Sequence, residues 1–258
     1  MTEPEEIWHL DTERIGRRTL VFESLESTNT TAARFATTAE AFDGLAIIAH
    51  FQSAGRGQYG RLWHSRPESS LLLSVVLQPP RELCRPVILT AMTAVAVAEA
   101  VYGLTSIQAR LKWPNDLLVH GKKICGLLIE QHAGAVVLGI GLNLLQTAEE
   151  FASADLPQAT SLARVGGREI PVRIAGEAVL RRLDREYARL LLRELVAVEA
   201  DWKWRIGLLG RQVEVELIDG TRATGRLHEM GFDGLELEVA DGLFRVIVPE
   251  TVAHLRGL

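Results

Sequence analysis

The chain has 258 residues, enough for one large domain plus a small one, each with its own core. Hydrophobic residues make up 47% and charged residues 24%, an ordinary globular balance, and the formal net charge is −5. Residues 206–258 carry five arginines against nine acidic residues, which excludes the basic footprint of a nucleic-acid-binding domain.

The start, residues 1–6, is acidic and has neither the basic nor the apolar region of a signal peptide. The most apolar stretch, 86–102, is interrupted by Thr90, Thr93 and Glu99 and falls short of a bilayer span. Cys84 and Cys125 show no metal or redox spacing. The expected compartment is the cytoplasm, with no membrane partner.

In chain order, alternation around Leu20 and Phe22 predicts a strand over 18–23. The alanine- and threonine-rich 30–41 predicts a short helix. Residues 45–51 form a continuous apolar run, the pattern of a strand buried on both faces. A long loop follows over 52–68, a length that marks a functional or mobile segment. Residues 70–77 read as another buried strand, and 86–102 as a helix with proline in its first turn. Strands are predicted at 107–113, 116–120, 123–132 and 135–144, with a turn at Gly121-Lys122. One helix is predicted over 172–198, from the spacing of Ile174, Leu180, Leu183, Tyr187, Leu190 and Leu191. Gly207 to Gly210 marks a boundary. Four short strands follow at 213–217, 223–228, 235–239 and 244–248, which suggests a small SH3-like barrel. Strands and helices mix without βαβ alternation, so the class is α+β.

Two segments carry most of the chemistry. Residues 52–63 read QSAGRGQYGRLW, and residues 112–116 read KWPND, followed by GKKICG over 121–126. Three glycines let the first backbone approach a ligand closely. Arg56 and Arg61 can hold anionic oxygens in bidentate fashion, and Trp63 offers a stacking face. The stretch satisfies GxGxxG, yet it runs on through Trp63 and Pro67 into a strand, whereas a dinucleotide-binding turn needs a helix there. Ser27-Thr28-Asn29 reads as a cap for the helix that follows. Lys122 and Lys123 could be solvated turn lysines, and Asn115 and Asp116 could be turn-forming residues at a strand start. Asn143, in an apolar strand after two glycines, needs a partner if buried.

Taken together, these residues resemble the biotin protein ligases. Their signatures are a GRGxxGRxW loop, a KWPND segment, a K-x-x-G turn (here Lys123 to Gly126), an S-T-N junction (Ser27 to Asn29) and a G-x-G-x-N strand (Gly139 to Asn143). The resemblance covers roughly residues 17–145 and implies a mixed-sheet biotin/lipoate ligase-like catalytic domain over 1–206, with an SH3-like domain over 207–258. It implies two-step acyl transfer: biotin and ATP give biotinyl-5′-AMP and pyrophosphate, and a lysine of a biotin carboxyl carrier domain then takes the biotinyl group. Biotin would meet Ser27, Thr28, Asn29, Gln52, Arg56, Gly57, Gln58, Lys123 and Gly126. ATP would meet Arg61, Trp63, Lys112, Asn115 and Asn143. Lys123, Arg56 and Asp116 would carry the catalysis, with Asp116 toward Mg2+. Many relatives hold a second arginine where this chain has Gln58, so one charge-assisted contact to the acyl phosphate is missing. Some relatives carry an amino-terminal helix-turn-helix, for which the leader before residue 17 leaves no room. Lipoate or octanoyl transfer and biotin-sensing regulation are the alternatives, and a homodimer is compatible with the strand edges.

Overall fold

The computed structural model describes residues 3–38, 42–132, 134–240 and 242–258. Eight strands form a mixed sheet: β1 (Glu6–Trp8), β2 (Thr19–Leu25), β3 (Leu45–Gln52), β4 (Ser70–Leu77), β5 (Arg110–Lys112), β6 (Asp116–Val119), β7 (Lys122–His132) and β8 (Ala135–Asn143). Their order is β1-β2-β3-β4-β8-β7-β6-β5. Only β2 and β3 pair in parallel, because the helix α1 (Thr28–Ala36) connects them; every other neighbour is antiparallel. Helix α1 starts two residues earlier than its composition suggests, and residues 39–41 of the predicted helix lie outside the described ones.

Strand alternation divides the work of the two sheet faces. On β8, Leu138, Ile140 and Leu142 point into the main core, while Gly139, Gly141 and Asn143 point the other way. The core face is covered by α2 (Pro86–Thr105) and α5 (Val172–Leu191), with α6 (Leu195–Ile206) packed on α2. Helix α2 runs three residues beyond its predicted end, and by length and composition alone it could cross a membrane. Its side chains are instead buried in this core, each large aliphatic one contributing about 1.5–3 kcal/mol. The opposite face carries α1 at one end, over Leu20, Phe22, Ile47 and Val137, and is otherwise open.

The single helix expected over 172–198 is two helices. Arg193 turns left-handed (φ 65°) between α5 and α6, and Arg189 ties across the corner to Glu186, Glu194 and Asp201. The turn expected at Gly121-Lys122 falls one residue earlier, at His120 (φ 49°) and Gly121 (φ 74°), and Lys122 already pairs with Val119. The strand expected over 107–113 is only Arg110–Lys112. Two short helices, α3 (Ala148–Ser153) and α4 (Leu162–Gly166), were not anticipated.

Five strands, not four, make the second sheet: β9 (Gln212–Leu217), β10 (Arg222–Met230), β11 (Leu235–Ala240), β12 (Leu243–Ile247) and β13 (Val252–Gly257), in the order β12-β11-β10-β9-β13. All its pairings are antiparallel, as an SH3-like domain requires. It is tied firmly to the first sheet. Trp113 Nε1 donates to the Val252 carbonyl at 2.9 Å, and tilted rings pack from Trp113 to Trp202 to Phe232 with centroids 5.7 and 5.5 Å apart. Arg85, just before α2, pairs with Asp233 at 2.6 Å and Glu250 at 3.0 Å.

Candidate active site

The chain leaves β2 and enters α1 through Ser27, which has extended backbone and accepts the Thr30 N–H at 3.5 Å. That cap aims Thr28 and Asn29 at the open sheet face. Gln52, at the end of β3, accepts through Oε1 from the Thr28 N–H at 2.7 Å and its hydroxyl at 2.9 Å. Ser74 Oγ, on β4, lies 2.8 Å from Thr28 Oγ1 and 2.6 Å from Asn29 Oδ1. Asn29 Nδ2 donates to Glu130 Oε2 at 2.7 Å, and the same oxygen accepts from Arg56 Nη2 at 2.9 Å. A carboxylate only accepts, so Glu130 fixes which end of the Asn29 amide is nitrogen. Gly139 lies directly beneath: a Cβ there would stand 2.3 Å from Asn29 Oδ1.

The glycine-spaced loop folds on itself. Gly57 N–H donates to the Arg61 carbonyl at 2.7 Å and Trp63 N–H to the Gly55 carbonyl at 2.9 Å, with a tight turn over Gln58–Gly60. Gly55 has no room for a side chain, since a Cβ would meet the Trp63 carbonyl at 2.6 Å. The hairpin lays the Trp63 indole on Gly126 and Gly141, which face each other across β7 and β8. Side chains there would stand 3.1 and 2.7 Å from the ring, so bare backbone is the floor of the site. Trp63 Nε1 is buried without a partner.

Lys123 stands at the other end of β7. Its Nζ is 2.6 Å from Asp116 Oδ1 and 5.8 Å from the Trp63 ring centroid. Its backbone is pinned on both sides, N–H to the Gln158 carbonyl at 2.7 Å and carbonyl from Thr160 N–H at 2.8 Å. Arg56 is held at Glu130, while the Lys123 side chain runs back toward Gly126 and meets Asp116, and Arg56, Asp116 and Lys123 line the same cavity. Asn115 Nδ2 is occupied by the Leu127 carbonyl at 2.6 Å. Lys112 and Arg61 are exposed at the rim. Cys125, next to Lys123, is fully buried; burial pushes its thiol far above the usual range and rules it out as a nucleophile.

Asn143 finds the partners its burial demands: Nδ2 donates to the Thr160 carbonyl at 3.0 Å, and Oδ1 accepts from Gln146 Nε2 at 3.2 Å. Every residue the sequence proposed for biotin or ATP, Gly57 and Gln58 included, lines one cavity of about 700 Å³. The sequence reading missed Ser74, which sits inside an apolar run, and Glu130, which only the register of β7 brings to Asn29. It also missed Gln146 and a rim pair of Arg66 with Glu150. The rim pair had a readable signal, since Thr147 and Glu150 form a capping box. His254, from β13, closes one side of the cavity. Among the described residues no three His, Cys, Asp or Glu side chains gather into a metal cage. Asp116 and Glu150 are carboxylates that line the cavity, paired with Lys123 and Arg66, and either could meet a hard cation only where oxygens from an occupant complete its shell.

Residues 21–146 match the profile of the biotin/lipoate A/B protein ligase family. The chain is 32% identical over 238 residues to a biotin–[acetyl-CoA-carboxylase] ligase of Mycobacterium tuberculosis, covering 89% of this chain and 86% of that protein. It is 30% identical over 226 residues to the bifunctional ligase/repressor BirA of Bacillus spizizenii, covering 86% of this chain and 69% of that protein. Its structure is similar to that of a biotin protein ligase from Aquifex aeolicus in complex with biotin and ATP, with a TM-score of 0.76 and 25% identity over 93% of this chain and 99% of the other.

Proposed function

We infer, because this chain belongs to the biotin/lipoate A/B protein ligase family, that it joins biotin to protein at the expense of ATP. The enzyme takes biotin and ATP as substrates, forms biotinyl-5′-AMP with release of pyrophosphate, and passes the biotinyl group to a lysine of a carboxyl carrier domain, releasing AMP. The acceptor in this reading is the carrier of a biotin-dependent carboxylase, and neither DNA nor membrane takes part.

The chemistry needs no enzyme nucleophile. In the first step the biotin carboxylate attacks the α-phosphorus of ATP. The protein must bring two anions together, neutralise the charge that builds between them and keep water out. Lys123 supplies that cation, with Asp116 orienting it at 2.6 Å. Asp116 would help hold a Mg2+ ion brought in on the phosphates, and such an ion would supply screening of the pyrophosphate charge. Ser27, Thr28, Asn29 and Gln52 hold the polar ring of biotin, Trp63 stacks on the nucleotide, and Arg61 and Lys112 meet its phosphates. Arg56, Gly57 and Gln58 close the loop over the acyl phosphate once Arg56 leaves Glu130. In the second step the neutral amine of the acceptor lysine attacks the anhydride carbonyl, with Asp116 placed to orient it.

The observation that carries this reading is the single glycine-floored cavity on which the loop, the S-T-N cap, the KWPND segment and the K-x-x-G lysine all converge. Mass spectrometry of a carrier domain after incubation with ATP and either biotin or lipoate tests it. The expected result is one biotinyl group per carrier with biotin and no change with lipoate. Lipoylation, or no modification, overturns it.

A further inference from the structure

We propose that Glu130 is a positioning residue that sets how long the site keeps its reactive intermediate. It orients Asn29 from behind the cavity wall, and it holds Arg56 in an open station that competes with closure of the loop over the acyl phosphate. The proposal rests on biotinyl-5′-AMP being the intermediate, as argued above.

Glu130 makes both contacts through one atom. Its Oε2 accepts from Asn29 Nδ2 at 2.7 Å and from Arg56 Nη2 at 2.9 Å. The two donors differ in their freedom. Asn29 is 4% exposed and committed elsewhere as well, Oδ1 to Ser74 Oγ at 2.6 Å and Nδ2 again to the Leu128 carbonyl at 3.4 Å. The Arg56 side chain is 43% exposed, and an ion pair so open to water is readily exchanged for another.

Two cavities meet at this pair. Ala54, Arg56, Gly57, Gln58, Arg61 and Leu62 line both the main cavity and a second one of about 590 Å³. The loop is thus a partition whose cations are shared between two sides. Two carboxylates, Glu26 and Glu130, stand on the second side, while an acyl phosphate forms on the main side. Arg56 bridges to Leu62 within the hairpin, so what its guanidinium grips bears on where the loop rests.

Phosphate oxygens accept from a guanidinium as a carboxylate does, and closure exchanges one charge-assisted bond for another. The resting pair subtracts from what closure gains, and the intermediate escapes from the open fraction of the loop. Removing the resting charge therefore raises the closed fraction. Removing the acceptor altogether has a second effect, since Asn29 Nδ2 is left with the 3.4 Å contact alone.

Glu130→Gln keeps an acceptor for Asn29 but removes the charge that holds Arg56; Glu130→Ala removes both. Biotinyl-5′-AMP is formed in the site from biotin and ATP, without acceptor, and its release is followed by chase with excess unlabelled intermediate. Glu130→Gln should release it about three- to fivefold more slowly than the wild type, with a KM for biotin no higher. Glu130→Ala should raise that KM about fivefold. Loss of a purely structural contact would instead speed release in both variants. Intermediate added preformed should leave Arg56→Gln and the Arg56→Gln/Glu130→Gln double variant at equal rates, because Glu130 acts on release through Arg56. Unchanged or faster release from Glu130→Gln overturns the proposal, as does a slowing that persists once Arg56 is replaced. A wild-type KM in Glu130→Ala, or a Glu130→Gln protein that forms no intermediate while the wild type does, overturns it too. A wild-type protein that forms no biotinyl-5′-AMP overturns the functional reading itself, and this proposal with it.

Discussion

The two ends of the cavity are built on different terms. At the α1 end Thr28, Asn29, Gln52, Ser74, Glu130 and Arg56 satisfy one another, and each amide orientation is forced, Asn29 by the acceptor-only Glu130 and Gln52 by the donor-only Thr28 N–H. At the Lys123 end one ammonium meets one carboxylate, with Arg61 and Lys112 exposed at the rim. A neutral polar ring needs a fixed set of donors and acceptors, and rigidity lowers the cost of binding it. Charge that appears only during reaction is best met by cations with few prior commitments, since only interactions stronger in the transition state raise kcat. The first end should therefore govern the KM for biotin and the second the rate of the chemical step.

The sharpest break of this division comes from Lys123→Ala. Pyrophosphate release at saturating biotin should fall about 10²- to 10³-fold with the fold intact. A defect confined to the KM for biotin would show that both ends bind and neither is reserved for chemistry. Next is Gly139→Ala. A Cβ 2.3 Å from Asn29 Oδ1 displaces the amide from Ser74 and Glu130 together. Losing two buried hydrogen bonds should raise the KM for biotin about 30-fold while kcat changes little, as titration of initial rates would show. Ser74→Ala removes one partner and should raise the same constant about fivefold; an equal drop in kcat would blur the comparison. Smallest is Gln58→Arg, which adds a cation to the loop between the two ends. Release of biotinyl-5′-AMP without acceptor, followed by single-turnover chase, should slow about fivefold. Unchanged release would mean the amide already makes an equivalent contact.

Sequence reading recovered the cavity better than its supports. Gly55, Gly126, Gly139 and Gly141 announce close approach by type alone, and the charged loop residues announce an anionic ligand. Ser74 and Glu130 announce nothing, because their meaning lies in register: Ser74 stands opposite Gly139 and Ile47, and Glu130 opposite Val137. The corner at Arg193 was equally silent. Apolar spacing continues through Leu195 and Val198 with neither glycine nor proline to break it, and the turn is set by ion pairs to distant residues, Glu82 and Asp201. The fifth strand of the second sheet escaped notice because Val252–Gly257 has only two buried side chains, Val252 and Leu255.

The bond from Trp113 to Val252 has a consequence for how the chain can be taken apart. Trp113 belongs to the KWPND segment, Val252 begins the strand that carries His254, and His254 walls the cavity. A cut after Ile206 would look clean on paper, separating one sheet from the other. It would also strip the indole of its acceptor, uncover Trp202 and open a side of the pocket. The catalytic half is thus not a portable module, and a fusion or truncation that respects only the sheet boundary would inherit a site with a missing wall.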